Sequence, residues 1–359
     1  MKMLILLCMQ PAPNVKADAD AGLIPYPEYL ALQKITDATL FSFDDVKEST
    51  HPLVRIARRI GLQYGLSMLG FINRHQYDHI YCTGEDIAIP FGLMMKMTFN
   101  SDRITAVVHN IGTPKRRIIL RFLGEKPFHN IICLNKDQEQ ILVDDIGLPS
   151  HKVKRLPQWL DHKFYDPKKA TGEPSIGDYG LSVGQENRDY TTLNQAISEL
   201  PWQFIIVASG WSPQGLSKIK GVYNTTNTIV EKHVLSYVEL RQRYAESRIV
   251  IVPLNHVTYA AGVTSVCEAM AMGKPVIASA SPGIADYIQE GISGYVVPVG
   301  DADALQQTIT KLWDDPELCQ RMGKHNRKWV AEEFSTWLFA KRVAAMMGVE
   351  TDEQQSNHV

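Results

Sequence analysis

The 359-residue sequence has few cysteines and none that pair: Cys8, Cys82, Cys133, Cys267 and Cys319 stand singly, with no CxxC motif and no Cys/His cluster. An odd, scattered set argues against both a disulfide framework and a structural zinc site. Most of these thiols lie in apolar runs, where a reduced cysteine acts as a small hydrophobe. No apolar run approaches the ~20 residues of a membrane-spanning helix. Excess charge is lacking too: 37 Lys and Arg stand against 39 Asp and Glu, a net charge of -2. No global field therefore favours nucleic acid or anionic lipid as a partner. Low-complexity tracts and repeats of solenoid period are absent. What remains is an ordinary globular composition, 45% hydrophobic and 21% charged, on a chain long enough for two domains.

Residues 3–9 form a short apolar run after Lys2, ended by Gln10 and followed by Pro11 and Pro13. A secretory leader is one reading, but the run is at the short limit for one. A first buried β-strand explains the same residues better, and residence in the cytoplasm is the resulting expectation. Strand-like runs recur at 79–82, 104–109 and 130–134, separated by helical patterns at 26–33, 54–71 and 87–97. Such alternation predicts a parallel sheet with crossover helices. Residues 156–180 hold Pro157, Pro167 and Pro174 with polar residues and glycines, and read as a linker. The pattern then restarts with strands at 180–183, 204–208, 249–253, 276–278 and 294–297. Helices fall at 192–199 and 264–272, a final amphipathic helix at 329–347, and a polar tail at 351–359. The fold class expected is α/β, two Rossmann-like domains whose parallel sheets face a central cleft, where ligands of such folds bind.

The stretch from Ile249 to Ser279 carries the most chemistry. It reads as strand, loop, helix, tight turn and strand. Gly262 lets backbone approach a ligand, and Thr264 and Ser265 supply hydroxyls and a cap for the helix that follows. The free N–H groups of Val263, Thr264 and Ser265, with the helix dipole, suit a diphosphate. Glu268 stands one turn further on, where a carboxylate can accept ribose hydroxyls.

These residues resemble a known group. Gly262-Val263-Thr264-Ser265, followed by EAMAMGKPVI from Glu268 to Ile277, resembles the donor-binding signature of family-4 and related GT-B glycosyltransferases. Ser182-Val183-Gly184 and the run RDYTTLNQA from Arg188 to Ala196 resemble the strand, loop and helix that place a basic residue on the donor diphosphate. Arg188 takes that position. The run SYVELRQRY from Ser236 to Tyr244 resembles the base-proximal turn and its helix. Pro282-Gly283 and the segment Gly291 to Asp301 are similar to the C-terminal strand and turn, and Met322-Gly323 to Phe334-Ser335 to the helix that crosses back to the first domain. In the first half, Leu160-Asp161 to Phe164 resembles the linker entry. Val107-Val108-His109 resembles a strand whose terminal histidine faces the donor sugar, although a solvated loop histidine competes with that reading.

The resemblance implies an N-terminal acceptor-side domain over 1–160, a C-terminal donor-binding domain over 161–330, and a helix over 331–350 packing back on the first. It implies a glycosyltransferase, retaining and metal-independent, that uses a nucleoside diphosphate sugar as co-substrate with no further cofactor. His109 and Arg188 are then the catalytic candidates, and Gly184, Arg188, Gly262, Val263, Thr264, Ser265 and Glu268 the donor-binding ones. The acceptor is a sugar, a lipid-linked molecule or another small molecule, with no role for nucleic acid. Peripheral contact with the inner face of the membrane fits such an acceptor.

Two departures bear on this. Many retaining members carry a second glutamate before the one at 268, and its position is Ala260 here; Gln185 stands where a second basic residue is often found. Sugar recognition and stereochemical class are therefore open. A nucleotide-sugar epimerase or hydrolase, or a catalytically weak binding subunit, remains an alternative. The triplets Asp18-Ala19-Asp20 and Asp301-Ala302-Asp303 mimic a metal-binding carboxylate pair, but the second fits better as the cap of a helix. Lys115-Arg116-Arg117 reads as a solvated face or as an attractor for a phosphorylated or membrane-borne acceptor.

Overall fold

The computed structural model describes residues 1–98, 103–171, 177–208, 223–257 and 259–349. The polar tail expected at 351–359 lies outside them. The chain divides into two compact units. One comprises Met1–Asp20, Tyr26–Trp159 and the chain from Thr336, and the other Ala21–Pro25 and Leu160–Ser335.

The first unit contains β1 (Met3–Leu6), β2 (Thr39–Phe41), β3 (His79–Cys82), β4 (Ile104–Val108), β5 (Phe128–Cys133) and β6 (Val153–Arg155). They form one sheet in the order β2-β1-β3-β4-β5-β6, every neighbouring pair parallel. Because successive side chains point to opposite faces, β1 splits cleanly. Leu4 and Leu6 join the core on one side, with Leu66, Phe91 and Leu120. Met3 and Ile5 join the core on the other, with Leu30, Phe339 and Val343. Strands buried on both faces explain why the apolar runs are continuous rather than alternating.

The second unit contains β7 (Tyr179–Val183), β8 (Gln203–Val207), β9 (Thr228–Glu231), β10 (Ser247–Val252), β11 (Val276–Ser279) and β12 (Gly294–Val297). Their order is β12-β11-β10-β7-β8-β9, again all parallel. Val250 and Val252 face one core with Cys267 and Met270; Ile249 and Ile251 face the other with Leu305 and Ile309.

Several expected elements differ in detail. The helix read at 54–71 is two, Pro52–Ile60 and Leu62–Asn73. Gly61 closes the first through its N–H to the Ala57 carbonyl, and its own carbonyl opens the second by accepting from Gly65. The helix read at 329–347 is also divided, into Pro316–Glu333 and Thr336–Met346. There Phe334 gives its carbonyl to the Leu160 N–H at 2.6 Å, and Ser335 bridges Leu160 in strand fashion. The later helix lies in the first unit, with Phe339, Ala340, Val343 and Ala344 in its core. Within the segment read as a linker, described over 156–171 and 177–180, Leu160, Phe164 and Tyr165 are buried in the core of the second unit rather than loosely solvated. The short edge strands β2, β6 and β9 left no continuous apolar run to read.

Candidate functional site

In the second sheet the chain starts at β7, builds outward to β9, then returns to place β10 on the other side of β7. Loops leaving the carboxyl ends of β7 and β10 therefore diverge from adjacent strands, the point where open α/β sheets bind ligands. These two loops carry most of the residues singled out from the sequence.

The β7 loop begins at Gly184, whose φ of 120° lies outside the range L side chains favour. A Cβ there would lie 2.6 Å from the Arg188 guanidinium, so the glycine keeps room for that side chain. Arg188 folds back along its own loop. Its Nε donates to the Val183 carbonyl at 3.0 Å, Nη1 to the Glu186 carbonyl at 3.0 Å and Nη2 to Ser265 Oγ at 3.0 Å. The β7 and β10 loops are joined by backbone pairing: the Asp189 N–H donates to the Pro253 carbonyl, the Asn255 N–H to the Asn187 carbonyl, and Arg188 bridges Leu254. Asn255 Nδ2 adds a bond to the Arg188 carbonyl at 3.0 Å. Arg188 is thus fixed at both backbone and side chain.

The β10 loop runs into helix Val263–Ala271. Gly262 is its N-cap residue in left-handed geometry, φ 79°, and a Cβ there would come within 2.8 Å of Val252. Thr264 and Ser265 do not cap this helix, contrary to expectation. The N-cap residue makes no side-chain cap, so the first-turn N–H groups of Val263, Thr264 and Ser265 have no capping side chain there. Thr264 is exposed while Ser265 is buried, its hydroxyl taken by Arg188. A guanidinium and an uncapped helix N-terminus converge at one place, an arrangement that favours an anion.

Glu268 follows one turn later and is 8% exposed. Its Oε1 accepts from the Tyr165 hydroxyl at 2.8 Å and its Oε2 from the Tyr244 hydroxyl at 2.8 Å. Burial pushes its carboxyl above the usual range, opposed by the two phenol hydrogen bonds and by the charge of Arg188. Burial beside this carboxylate drives both tyrosines well above the usual phenol range, so each stays a donor. The carboxylate read from the sequence as a ribose acceptor is thus held by two phenols. Neither tyrosine was foreseen, since one comes from the supposed linker and the other from helix Tyr237–Glu246.

In the first unit His109 follows the last residue of β4 and is exposed. Its Nε2 lies 3.1 Å from the Thr83 carbonyl, and its ring packs edge-on to Trp159. Its backbone N–H and that of Asn110 both donate to Glu85, at 2.9 and 3.0 Å. The basic run beyond is less solvated than it reads: Arg116 pairs with Glu85 at 3.0 Å and Asp86 at 2.7 Å, and Arg117 with Asp145 at 2.6 Å. Of the aspartate triplets, Asp20 pairs with Lys16, and Asp301 caps helix Ala302–Asp314 through the Ala304 N–H. Among the described residues no three His, Cys, Asp or Glu side chains cluster as a metal site would require.

Two parallel six-stranded sheets, each in its own α/β unit, define a fold of the GT-B type. The chain superposes on sucrose-phosphate synthase from Thermosynechococcus elongatus with a TM-score of 0.72 at 18% identity, covering 96% of this chain and 98% of that one. It superposes on HepE of Anabaena, solved in complex with UDP and glucose, with a TM-score of 0.67 at 14% identity, covering 97% and 99%. Residues 186–329 match the family described as glycosyl transferases group 1, a span that includes Arg188, the β10 loop and helix Val263–Ala271. Among curated proteins, the chain is 25% identical over 203 residues to the alpha-D-kanosaminyltransferase of Streptomyces kanamyceticus, covering 52% of each. It is 22% identical over 270 residues to the O-antigen chain mannosyltransferase C of Escherichia coli, covering 68% of this chain and 69% of that protein. The chain spans about half the length of the kanosaminyltransferase, and less of several other relatives.

Proposed function

We propose that this protein transfers a sugar from a nucleoside diphosphate donor to an acceptor hydroxyl, retaining the anomeric configuration and needing no metal ion. The observation that carries this reading is the bond from Arg188 Nη2 to Ser265 Oγ at 3.0 Å, which brings a guanidinium to the open N-terminus of helix Val263–Ala271. Departure of a diphosphate develops negative charge at its oxygens. A fixed guanidinium and uncapped backbone N–H groups stabilise that charge without reorganising, each such donor contributing about 3 kcal/mol. The relatives named as kanosaminyl- and mannosyltransferases, and the neighbour solved with UDP and glucose, support a nucleotide-sugar donor. Retention follows the resemblance to family-4 enzymes.

The test is a panel of nucleoside diphosphate sugars offered with mono- and oligosaccharide and lipid-linked acceptors, with products read by mass spectrometry in the presence and absence of EDTA. Transfer of intact sugar that survives EDTA is the expected result. A change of donor without acceptor would indicate an epimerase or hydrolase. No turnover of any donor that binds would indicate a scaffold subunit, the reading that Ala260 favours. Activity abolished by EDTA and restored by magnesium or manganese would overturn metal independence.

A lipid-linked acceptor is supported by the surface of the first unit. Helix Pro52–Ile60 exposes Leu53, Ile56 and Ile60 (74% exposed) beside the exposed Arg55 and Arg59. Helix Pro114–Leu123 exposes Ile118 and Phe122 (70% and 69%) beside Lys115 and Arg121. Apolar side chains interleaved with cations suit an anionic bilayer surface. No helix among the described residues is long and apolar enough to cross a membrane. Flotation with phosphatidylglycerol vesicles, lost on Ile60→Glu with Ile118→Glu, is the outcome expected of peripheral contact. Flotation unchanged in the double variant would remove these faces from the account.

A further inference from the structure

Next to Ala260, the position that lacks a carboxylate in this chain, the preceding residue is bonded to one. Tyr259 precedes Ala260 on the β10 loop, and its hydroxyl donates to Glu186 Oε1 at 2.6 Å. Asn187 Nδ2 in turn donates to the Tyr259 hydroxyl oxygen at 2.5 Å. A carboxylate from the β7 loop is therefore carried across to the loop that leads into helix Val263–Ala271.

Backbone geometry shows how. Asn187 has φ 54°, a left-handed conformation that residues other than glycine, asparagine and aspartate seldom adopt. Arg188, on one side of this turn, runs its side chain back to the Val183 carbonyl and Ser265. Glu186, on the other side, reaches forward to Tyr259. One left-handed residue thus separates Arg188 from a carboxylate on the same loop and sends their side chains in opposite directions. The zipped backbone of the two loops holds both in place.

Two other acidic groups on these elements are already engaged. Asp189 accepts from the Thr192 N–H and hydroxyl at 3.0 and 2.6 Å as the cap of helix Tyr190–Ile197. Glu268 is held by Tyr165 and Tyr244. The β10 loop from Pro253 to Gly262 contains no Asp or Glu at all. Glu186 is exposed, and only its Oε1 is engaged by Tyr259. A sugar joined to a diphosphate at Arg188 presents several hydroxyls, and a carboxylate oxygen is the strongest neutral-pH acceptor for them.

We propose that Glu186, positioned by Tyr259 and Asn187, binds the hydroxyls of the transferred sugar and thereby selects the donor, supplying from the β7 loop the carboxylate that Ala260 does not. This rests on the donor reading above. It also makes sugar choice in this chain a property of the loop that carries the leaving-group arginine.

The experiment compares calorimetric titrations of UDP, GDP, UDP-glucose, UDP-N-acetylglucosamine and GDP-mannose into wild type, Glu186→Gln and Tyr259→Phe. For Glu186→Gln the expected result is unchanged affinity for the preferred nucleoside diphosphate and a loss of about tenfold or more for its sugar conjugate. Tyr259→Phe, which leaves Glu186 present but unheld, should lose part of the same discrimination. Equal affinity of wild type and Glu186→Gln for the conjugate would overturn the inference while leaving the donor site standing. So would a parallel loss for nucleotide and conjugate, the mark of a loop that has merely loosened. Failure of wild type to bind any nucleotide of the panel would overturn the donor reading, and this inference with it.

Discussion

Glu85 in the first unit and Glu268 in the second are both buried carboxylates, 4% and 8% exposed, yet they are satisfied by opposite means. Glu85 meets a full positive charge, Arg116 at 3.0 Å, together with the backbone N–H groups of His109 and Asn110. Glu268 meets only the neutral hydroxyls of Tyr165 and Tyr244, with Arg188 acting on it from beyond hydrogen-bonding contacts. The difference separates a structural anchor from a group whose charge is conditional. Glu85 fixes the backbone at the end of β4, where His109 sits. Glu268 shares the electrostatics of the β7 and β10 loops, because the cation that acts on it, Arg188, is the one that also bonds to Ser265.

The comparison predicts unequal costs. Glu85→Ala strands two backbone donors and leaves Arg116 with Asp86 as its one carboxylate partner, and should lower the unfolding free energy by roughly 3 kcal/mol, read from urea midpoints. A loss under 1 kcal/mol would mean that water replaces the carboxylate freely and that Glu85 anchors nothing. Tyr165→Phe and Tyr244→Phe each remove one donor from Glu268 and should each cost about 1–2 kcal/mol by the same measurement. Because both serve one carboxylate, the double variant should depart from additivity.

The smallest effect is on pH dependence. Burial raises the Glu268 carboxyl in the folded chain, so the native state keeps this proton at pH values where the unfolded chain has released it. Between the two values the native state binds more protons, and stability falls as pH rises upward from the ordinary carboxylate range. Glu268→Gln should remove that part of the slope. An identical pH profile for wild type and Glu268→Gln would show that the two phenols and Arg188 offset burial completely.

The α/β alternation was legible because strands buried on both faces write continuous apolar runs, as at 3–6 in β1, 249–252 in β10 and 276–278 in β11. The β7 and β10 loops were legible because Gly184 and Gly262 are needed for backbone reasons that composition cannot hide: each has positive φ, with a side chain packed where a Cβ would stand. The missing parts have a common cause. Tyr165 and Tyr244 reach Glu268 from elements remote in sequence, and no spacing rule connects them. Glu85 reads locally as an acidic first-turn residue of helix Glu85–Met97, and only the fold brings His109, Asn110 and Arg116 to it. The Glu186–Tyr259 pair depends on a left-handed asparagine, a backbone state that the sequence permits without announcing. The division at Phe334 likewise depends on Leu160 arriving to pair with it.

The central claim is that Arg188 stabilises charge on a departing diphosphate, and steady-state kinetics of Arg188→Ala and Arg188→Lys test it most directly once a donor is identified. Arg188 makes three contacts in a forked geometry, to Val183, Glu186 and Ser265, and a lysine can reproduce the charge but not the fork. The account predicts that Arg188→Ala lowers kcat by about a hundredfold or more, with a smaller rise in the donor KM, and that lysine restores part of the loss. An unchanged kcat with a raised donor KM would contradict it, leaving Arg188 as a ground-state contact and the leaving group stabilised by other groups.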